Sequence, residues 1–184
     1  MSEELQVLLR PHSAYRRLAR VEAAAVWWHR PAFFALLCGY VASLATSGRV
    51  TLRLAGPAAV YASLIPLIEI AMLRVLLGRK IGRAVDLFFM GHAAWSLWMV
   101  ALAGIFAILD PIQAYRVTGP PWGLMSLSVV VGWSAYTDWC FFRCVSPRRP
   151  VRNLLVQRVV CWSIGLAIFG GGSLWSGLLG ILGV

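Results

Sequence analysis

The chain has 184 residues, of which 60% are hydrophobic and 13% are charged. Soluble domains contain about 45–50% apolar and about 25% charged residues, so this composition argues against an ordinary water-soluble protein. The length fits a single domain. The formal charge of +10 is compatible with a nucleic-acid partner or with a membrane topology signal, and its distribution along the chain decides between them.

Residues 1–30 predict an amphipathic cytoplasmic segment. Pro11 separates a short apolar stretch, Leu5–Leu9, from a helix that Ser13 is placed to cap. The two sides of this helix differ, with Tyr15, Leu18, Val21 and Ala25 on one side and Arg16, Arg17 and Arg20 mostly on the other. Such a helix can lie among lipid headgroups with its apolar side in the membrane, or it can dock on the cytoplasmic surface of a partner.

Five apolar runs follow, and they make residues 31–184 a predicted five-helix transmembrane domain. Each run is close to the roughly 20 residues that a helix needs to cross a bilayer. Helices are favoured because lipid cannot satisfy backbone amides and because the runs lack the alternation of barrel strands. The predicted fold class is therefore an all-α polytopic integral membrane protein. The runs are Ala32–Gly48, Pro57–Leu77, Ala84–Leu109, Trp122–Cys144 and Leu154–Gly172, joined by short loops such as Asp110–Pro121.

The basic residues alternate in phase with these runs. Fourteen of the seventeen lie in or beside the N-terminal segment, the second-to-third loop and the fourth-to-fifth loop, whereas Arg49, Arg53 and Arg116 lie between. Positive residues stay in the cytoplasm, so the N-terminus is predicted inside and the C-terminus outside. Lipid headgroups then account for the charge, and no nucleic-acid partner is expected. Sixteen arginines against one lysine suggest a GC-rich genome, which favours a bacterial cytoplasmic membrane.

Three acids, Glu69, Asp86 and Asp138, lie inside the apolar runs together with His92. A charge at mid-bilayer costs about 2.5–3.5 kcal/mol, so each acid needs a partner or water. A basic residue stands three to five positions from each acid, which predicts an acidic layer in the cytoplasmic half of the membrane. These basic residues are Arg74, Arg83 and Arg143. The layer either ties helices together, with Asp86 also near the positive end of its helix, or lines a proton or cation path with His92 as a relay.

His92 has small neighbours, and tryptophans follow it one and two turns on. This setting suits a flat ligand, so a haem or chlorin at His92 is an alternative to the hydrogen bond with a neighbouring helix that we expect. A bis-histidine haem within the chain is excluded because His12 and His29 lie outside the core. Asp86 and His92 are about 120° apart on a continuous helix and are not expected to share a pocket.

The sequence contains none of the familiar enzyme motifs. It has no GxSxG, HExxH or P-loop and no acidic cluster suited to divalent metals. Its four cysteines form no CxxC pair, which is typical of buried, inert thiols. The chain is therefore predicted to be no enzyme, to bind no metal and to need no cofactor.

The last apolar stretch, which continues to Val184, is rich in glycine. Small residues four positions apart let helices approach closely in lipid. Two such pairs occur, Ser173 with Gly177 and Ser176 with Gly180. They predict helix packing, either within the chain or against another membrane protein subunit.

Two stretches carry a resemblance to a known family. "LLRPHSAYRRLAR" places a proline before an aromatic and basic amphipathic helix, and "LGRKIGRAVDLFFMGHAAWSLWMV" leads into the third run. With five spans and an outside C-terminus, the chain resembles the Yip family of Rab-interacting membrane proteins and its bacterial relatives. The resemblance implies membrane organisation or an accessory role and assigns no functional residue. The leading hypothesis is a non-catalytic membrane protein, and the alternative is a small transporter or proton-conducting protein.

Overall fold

The computed structural model of the protein describes residues 3–20, 28–47, 51–78, 82–164 and 167. Within these residues the chain is all-α, as predicted. The predicted packing residues Ser173, Ser176, Gly177 and Gly180 lie outside them. The helices are α1 (Glu3–Leu9), α2 (Pro11–Leu18), α3 (His29–Ser47), α4 (Leu52–Ala62), α5 (Leu64–Leu77), α6 (Gly82–Met90), α7 (Ala93–Ile108), α8 (Pro111–Thr118), α9 (Trp122–Val145) and α10 (residues 150–164).

The first, fourth and fifth apolar runs are helical where they are described. Helix α3 begins three residues before the predicted Ala32, and α9 begins at the predicted Trp122. Helix α10 begins four residues before the predicted Leu154, at Pro150. Proline is favoured at the first position of a helix because its missing N–H would have no partner there.

The second run is longer than predicted and is interrupted. Helix α4 starts at Leu52 and not at Pro57, which lies inside it. A break at Ser63 separates α4 from α5, because Pro66 has no N–H to donate to the carbonyl four residues earlier. Ala55–Leu77 nevertheless forms one apolar stretch of 23 residues, long enough to cross a membrane.

The third run, predicted as Ala84–Leu109, is not one continuous helix. Helices α6 and α7 meet at a bend of 47°. At the bend the N–H of Gly91 donates to the Phe88 carbonyl (2.9 Å) and the N–H of His92 to the Phe89 carbonyl (3.2 Å). These bonds span three residues instead of four, so the regular ladder stops here.

By length and composition, one helical stretch of the described chain is suited to cross a membrane. It is Ala55–Leu77, which comprises most of α4 together with α5. The bent pair α6 and α7 is a second candidate if it is counted as one span. Five crossings therefore stay a prediction.

The segment Asp110–Pro121 is not the simple loop that the sequence suggested, since it contains helix α8. The Asp110 carboxylate accepts the N–H groups of Ile112 (2.9 Å) and Gln113 (3.0 Å), and Pro111 occupies the first helical position. An aspartate cap followed by proline is a strong helix start. This signal was present in the sequence.

The N-terminal helices α1 and α2 pack on the protein itself, so their apolar side does not enter lipid as expected. Val7, Tyr15 and Leu18 are buried in one core cluster with residues of α6 and α9. The Tyr15 and Phe141 rings meet edge-on at 5.8 Å. Phenylalanines from α6 and α9 thus provide the apolar surface that the hairpin of α1 and α2 requires.

The predicted cap of α2 is also wrong. The Ser13 hydroxyl donates to the Arg10 carbonyl (3.1 Å), and Arg10 occupies the N-cap position without a side-chain hydrogen bond. Proline at the first position starts this helix.

We expect Gly91→Ala to destabilise the protein by about 1–3 kcal/mol, because overpacking a tight core has this cost. A Cβ atom at Gly91 would lie 2.6 Å from the Tyr15 hydroxyl oxygen, and Tyr15 is 1% exposed. The measurement is denaturant-induced unfolding in mild detergent.

The matched control is Gly104→Ala, where a Cβ atom meets nothing within 4 Å. Alanine also favours helix over glycine, so this variant should be at least as stable as the natural chain. Equal stability of the two variants would contradict the docking of α2 against the bend.

Candidate functional site

A cavity of about 310 Å³ lies among α3, α5, α7, α9 and α10. Its polar lining includes Glu69, His92, Ser134, Asp138 and Arg158. Its walls are mostly apolar and include Phe34, Ile65, Trp95 and Trp162. Three of the four residues singled out from the sequence therefore meet in one place, and Asp86 is absent from its lining.

Glu69 and His92 form a buried pair across α5 and the bend. Nε2 of His92 lies 3.3 Å from Oε1 and 3.2 Å from Oε2 of Glu69. Nδ1 of His92 lies 3.4 Å from the Phe88 carbonyl oxygen, which can only accept, so this contact favours a proton on Nδ1. Since a carboxylate also only accepts, the pair needs a second proton, carried on Nε2 or on Glu69. The expected partner Arg74 is not the partner of Glu69.

The His92 ring is enclosed by aromatic rings. Phe34 and Phe88 meet it edge-on at 5.1 Å, and Phe89 stacks on it at 4.8 Å. The space expected beside Gly91 is taken by the Tyr15 hydroxyl. A haem or chlorin bound through Nε2 would have to replace the Glu69 contact, and an absorption spectrum of the purified protein tests this hypothesis.

Asp138 and Arg158 form the second pair of the cavity and join α9 to α10. Nη2 of Arg158 donates to Asp138 Oδ2 (2.6 Å) and to the Ser134 hydroxyl (2.9 Å). The expected partner Arg143 lies instead over the Trp139 ring, 5.1 Å from its centroid. Residues five apart on a helix are about 140° apart, so Asp138 and Arg143 face different sides.

Asp86 is fully buried in a separate network. Its carboxylate accepts from Arg30 and, at 2.6 Å, from Arg83. Arg30 also donates to Glu4 (2.9 Å), and this bond lowers the pKa of the Glu4 carboxyl. Arg83 also donates to the Leu18 carbonyl (2.8 Å). The pairing with Arg83 is confirmed. The three acids occupy two separate sites, and their common depth in the membrane stays a prediction.

Helix α10 contributes residues that sequence reasoning missed. Asn153 and Gln157 are each 2% exposed, and Arg158 and Cys161 line the cavity. Asn153, Gln157 and Cys161 recur every four residues in an apolar run, and Arg158 follows directly after Gln157. The signal was readable as one polar helix face, but Arg158 was counted only as a cytoplasmic charge.

Two buried polar atoms at the cavity have no hydrogen-bond partner among the described residues. They are Oε2 of Glu69 and Nε of Arg158. Oε2 lies 3.2 Å from Nε2 of His92 but receives no hydrogen bond from it. When the second proton is on Nε2, the Glu69 carboxylate can only accept, and Nε of Arg158 can only donate. The described residues contain no group of three or more His, Cys, Asp or Glu side chains placed to hold a metal ion.

The fold and the site define an all-α helical bundle with a mostly apolar cavity that contains the Asp138–Arg158 ion pair and the Glu69–His92 pair. Comparison of the chain with family models, with curated proteins and with solved structures found no match. The resemblance to the Yip family therefore stays a prediction.

We expect Arg158→Gln and Asp138→Asn each to cost about 3–5 kcal/mol of stability, because each leaves its partner charge uncompensated in a buried site. The double variant removes both charges and keeps two amides that can hydrogen-bond. It should therefore cost less than the sum of the single changes, and the measurement is a double-mutant cycle of unfolding in detergent.

Arg143→Gln is the control, since it removes only a contact with a ring and should cost about 0.5–1 kcal/mol. Strictly additive costs in the cycle would show that Asp138 and Arg158 do not interact.

Proposed function

We propose that the protein is a five-pass integral membrane protein without catalytic activity. Its role would be to organise the membrane or to serve as an accessory subunit of a larger membrane complex, in a bacterial cytoplasmic membrane. The observation that carries this proposal is the apolar surface of the bundle, where many large apolar side chains are exposed while several polar side chains are buried beside the apolar core.

Helix α10 illustrates this polarity. Asn153 and Gln157 are buried, whereas Leu155 is 58% and Val159 is 62% exposed. A soluble helix has the opposite pattern. Large apolar side chains exposed on successive turns of a helix are expected where lipid or another membrane protein covers them.

Helix α9 has the same polarity. Ser134, Thr137 and Asp138 are buried, while Leu124 and Val129 are exposed. Both helices therefore present to their surroundings the side chains that lipid favours. This supports the proposal that α9 and α10 cross the membrane in addition to the stretches selected by length and hydropathy.

The positions of the arginines support the proposed orientation. Arg16 and Arg20 of the N-terminal segment line one cleft of about 450 Å³ with Arg143, at the end of α9. The N-terminus and the loop after α9 are thus at the same end of the bundle. An inside N-terminus and an inside fourth-to-fifth loop require this arrangement.

The topology is tested with single cysteines in a chain whose four own cysteines are replaced. Arg116→Cys should react with a membrane-impermeant maleimide in intact cells, because Arg116 is exposed on the predicted outer side. Arg148→Cys, equally exposed, should react only after the membrane is permeabilised. Equal labelling of both positions in intact cells would refute the five-pass orientation, and extraction by alkaline carbonate would refute embedding in the membrane.

The accessory role is tested by purification in mild detergent with native mass spectrometry of the product. We expect other membrane protein subunits to remain bound, together with lipid. A lone, colourless monomer that transports a solute would refute the accessory role.

Conduction of protons or cations is the second candidate, because Glu69, His92 and Asp138 line one cavity. Flux into liposomes should then be lost in Glu69→Gln and in Asp138→Asn. Asp86→Asn should leave the path itself intact, since Asp86 is not among the lining residues. Flux that persists after both cavity acids are neutralised eliminates this candidate.

A further inference from the structure

We propose that the cavity binds a neutral, lipophilic aromatic diol, the head group of a hydroquinone, in preference to its oxidised form. This proposal rests on the proposed membrane embedding only for the route by which the ligand enters the cavity from lipid. The binding itself follows from the shape, the charge and the unpaired atoms of the cavity.

The walls of the cavity suit a single flat ring. Phe34, Trp95 and Trp162 offer aromatic faces and edges, which favour a planar ligand packed between them. A cavity of about 310 Å³ is near the lower end of small-molecule pockets, roughly 300–1,000 Å³. One substituted six-membered ring fits this volume better than a macrocycle.

The charges of the cavity favour a neutral ligand. Asp138 is neutralised by Arg158, and the His92 contacts place a further proton between His92 and Glu69. Asp138, Arg158, Glu69 and His92 together then carry no net charge. A cationic ligand would be repelled by Arg158 and an anionic one by both acids, so an added charge would lack a counter-charge.

The unpaired atoms specify the hydrogen-bonding groups of the ligand. Oε2 of Glu69, on a side chain that is nine-tenths buried, lies 3.2 Å from Nε2 of His92 but accepts no hydrogen bond, and Nε of Arg158 has no acceptor. With the second proton of the pair on Nε2, Glu69 is a carboxylate and needs a donor. A ligand that satisfies both must carry an O–H group and an oxygen that accepts. A hydroquinone has both, whereas the quinone only accepts and would leave Glu69 unsatisfied.

The cavity reaches the apolar surface of the bundle. Trp162 in its wall is 46% exposed, and the large apolar side chains of Val159 and Ile164 on the same helix are also exposed. A ring with an apolar tail could therefore place its head group at Glu69 and Arg158 while the tail stays in lipid.

The test uses the full chain in detergent, with durohydroquinone and duroquinone as probes in isothermal titration under nitrogen. Both rings are fully substituted, so neither adds to the thiol of Cys161 in the cavity wall. We expect one probe per chain and about tenfold tighter binding of the reduced form, since one hydrogen bond to a charged group distinguishes the two.

Two variants locate the site. Glu69→Gln should abolish or reverse the preference for the reduced probe, because its amide can donate to a quinone oxygen. Arg158→Lys keeps a charge for Asp138 but removes the Nε donor, so it should weaken both probes and keep the preference. Asp110→Asn, remote from the cavity and still a good helix cap, should bind as the natural chain does.

Equal affinity for the two probes, or binding unchanged in Glu69→Gln, overturns the proposal. The competing occupant is tested with brominated lipids, which quench the emission of tryptophans that they contact. In the competing outcome, added durohydroquinone does not relieve this quenching. The cavity would then hold acyl chains, and the proposal would be wrong. These assays report on the cavity in detergent, so their failure is distinct from a failed topology test.

Discussion

The rest of the structure depends on the pairing of buried charge across helices. Asp86 pairs with Arg30 of α3, Asp138 with Arg158 of α10, and Glu69 with His92 at the bend. A buried pair adds little net stability, but any arrangement that separates the partners leaves a charge uncompensated and costs several kcal/mol. These contacts therefore select one arrangement of helices, since apolar packing alone is less directional and would permit several.

The Asp86 network gives the N-terminal hairpin its position. Arg30 also donates to Glu4 of α1, and Arg83 also donates to the carbonyl that ends α2. Burial in the adjoining aromatic cluster raises the pKa of the Tyr15 hydroxyl well above its usual value, so this side chain stays neutral there. An amphipathic helix that composition assigns to the membrane surface is thus held by the protein itself.

The sequence was sufficient for the elements that depend on local pattern, and insufficient for the choice of partners. Long apolar runs predicted α3, α9 and α10 because a helix satisfies its own backbone whatever surrounds it. The partners could not follow from spacing, since Arg143 is closer to Asp138 along the chain yet faces another side of α9. Arg158 comes from the next helix, and only the packing of α9 against α10 brings it to Asp138. The same limit explains why three acids that the sequence predicts at one depth divide between two sites.

The break at Gly91 links the fold to the site. In a regular helix the Phe88 carbonyl would accept the N–H of His92, but here it accepts that of Gly91, and Nδ1 of the His92 ring lies 3.4 Å away. The bend therefore orients the imidazole, with Nε2 toward Glu69, and the proton on Nδ1 sets the charge of the pair. Tyr15 from α2 fills the space that the missing side chain of Gly91 leaves. The N-terminal hairpin thus packs directly against the bend, one residue before the imidazole that pairs with Glu69.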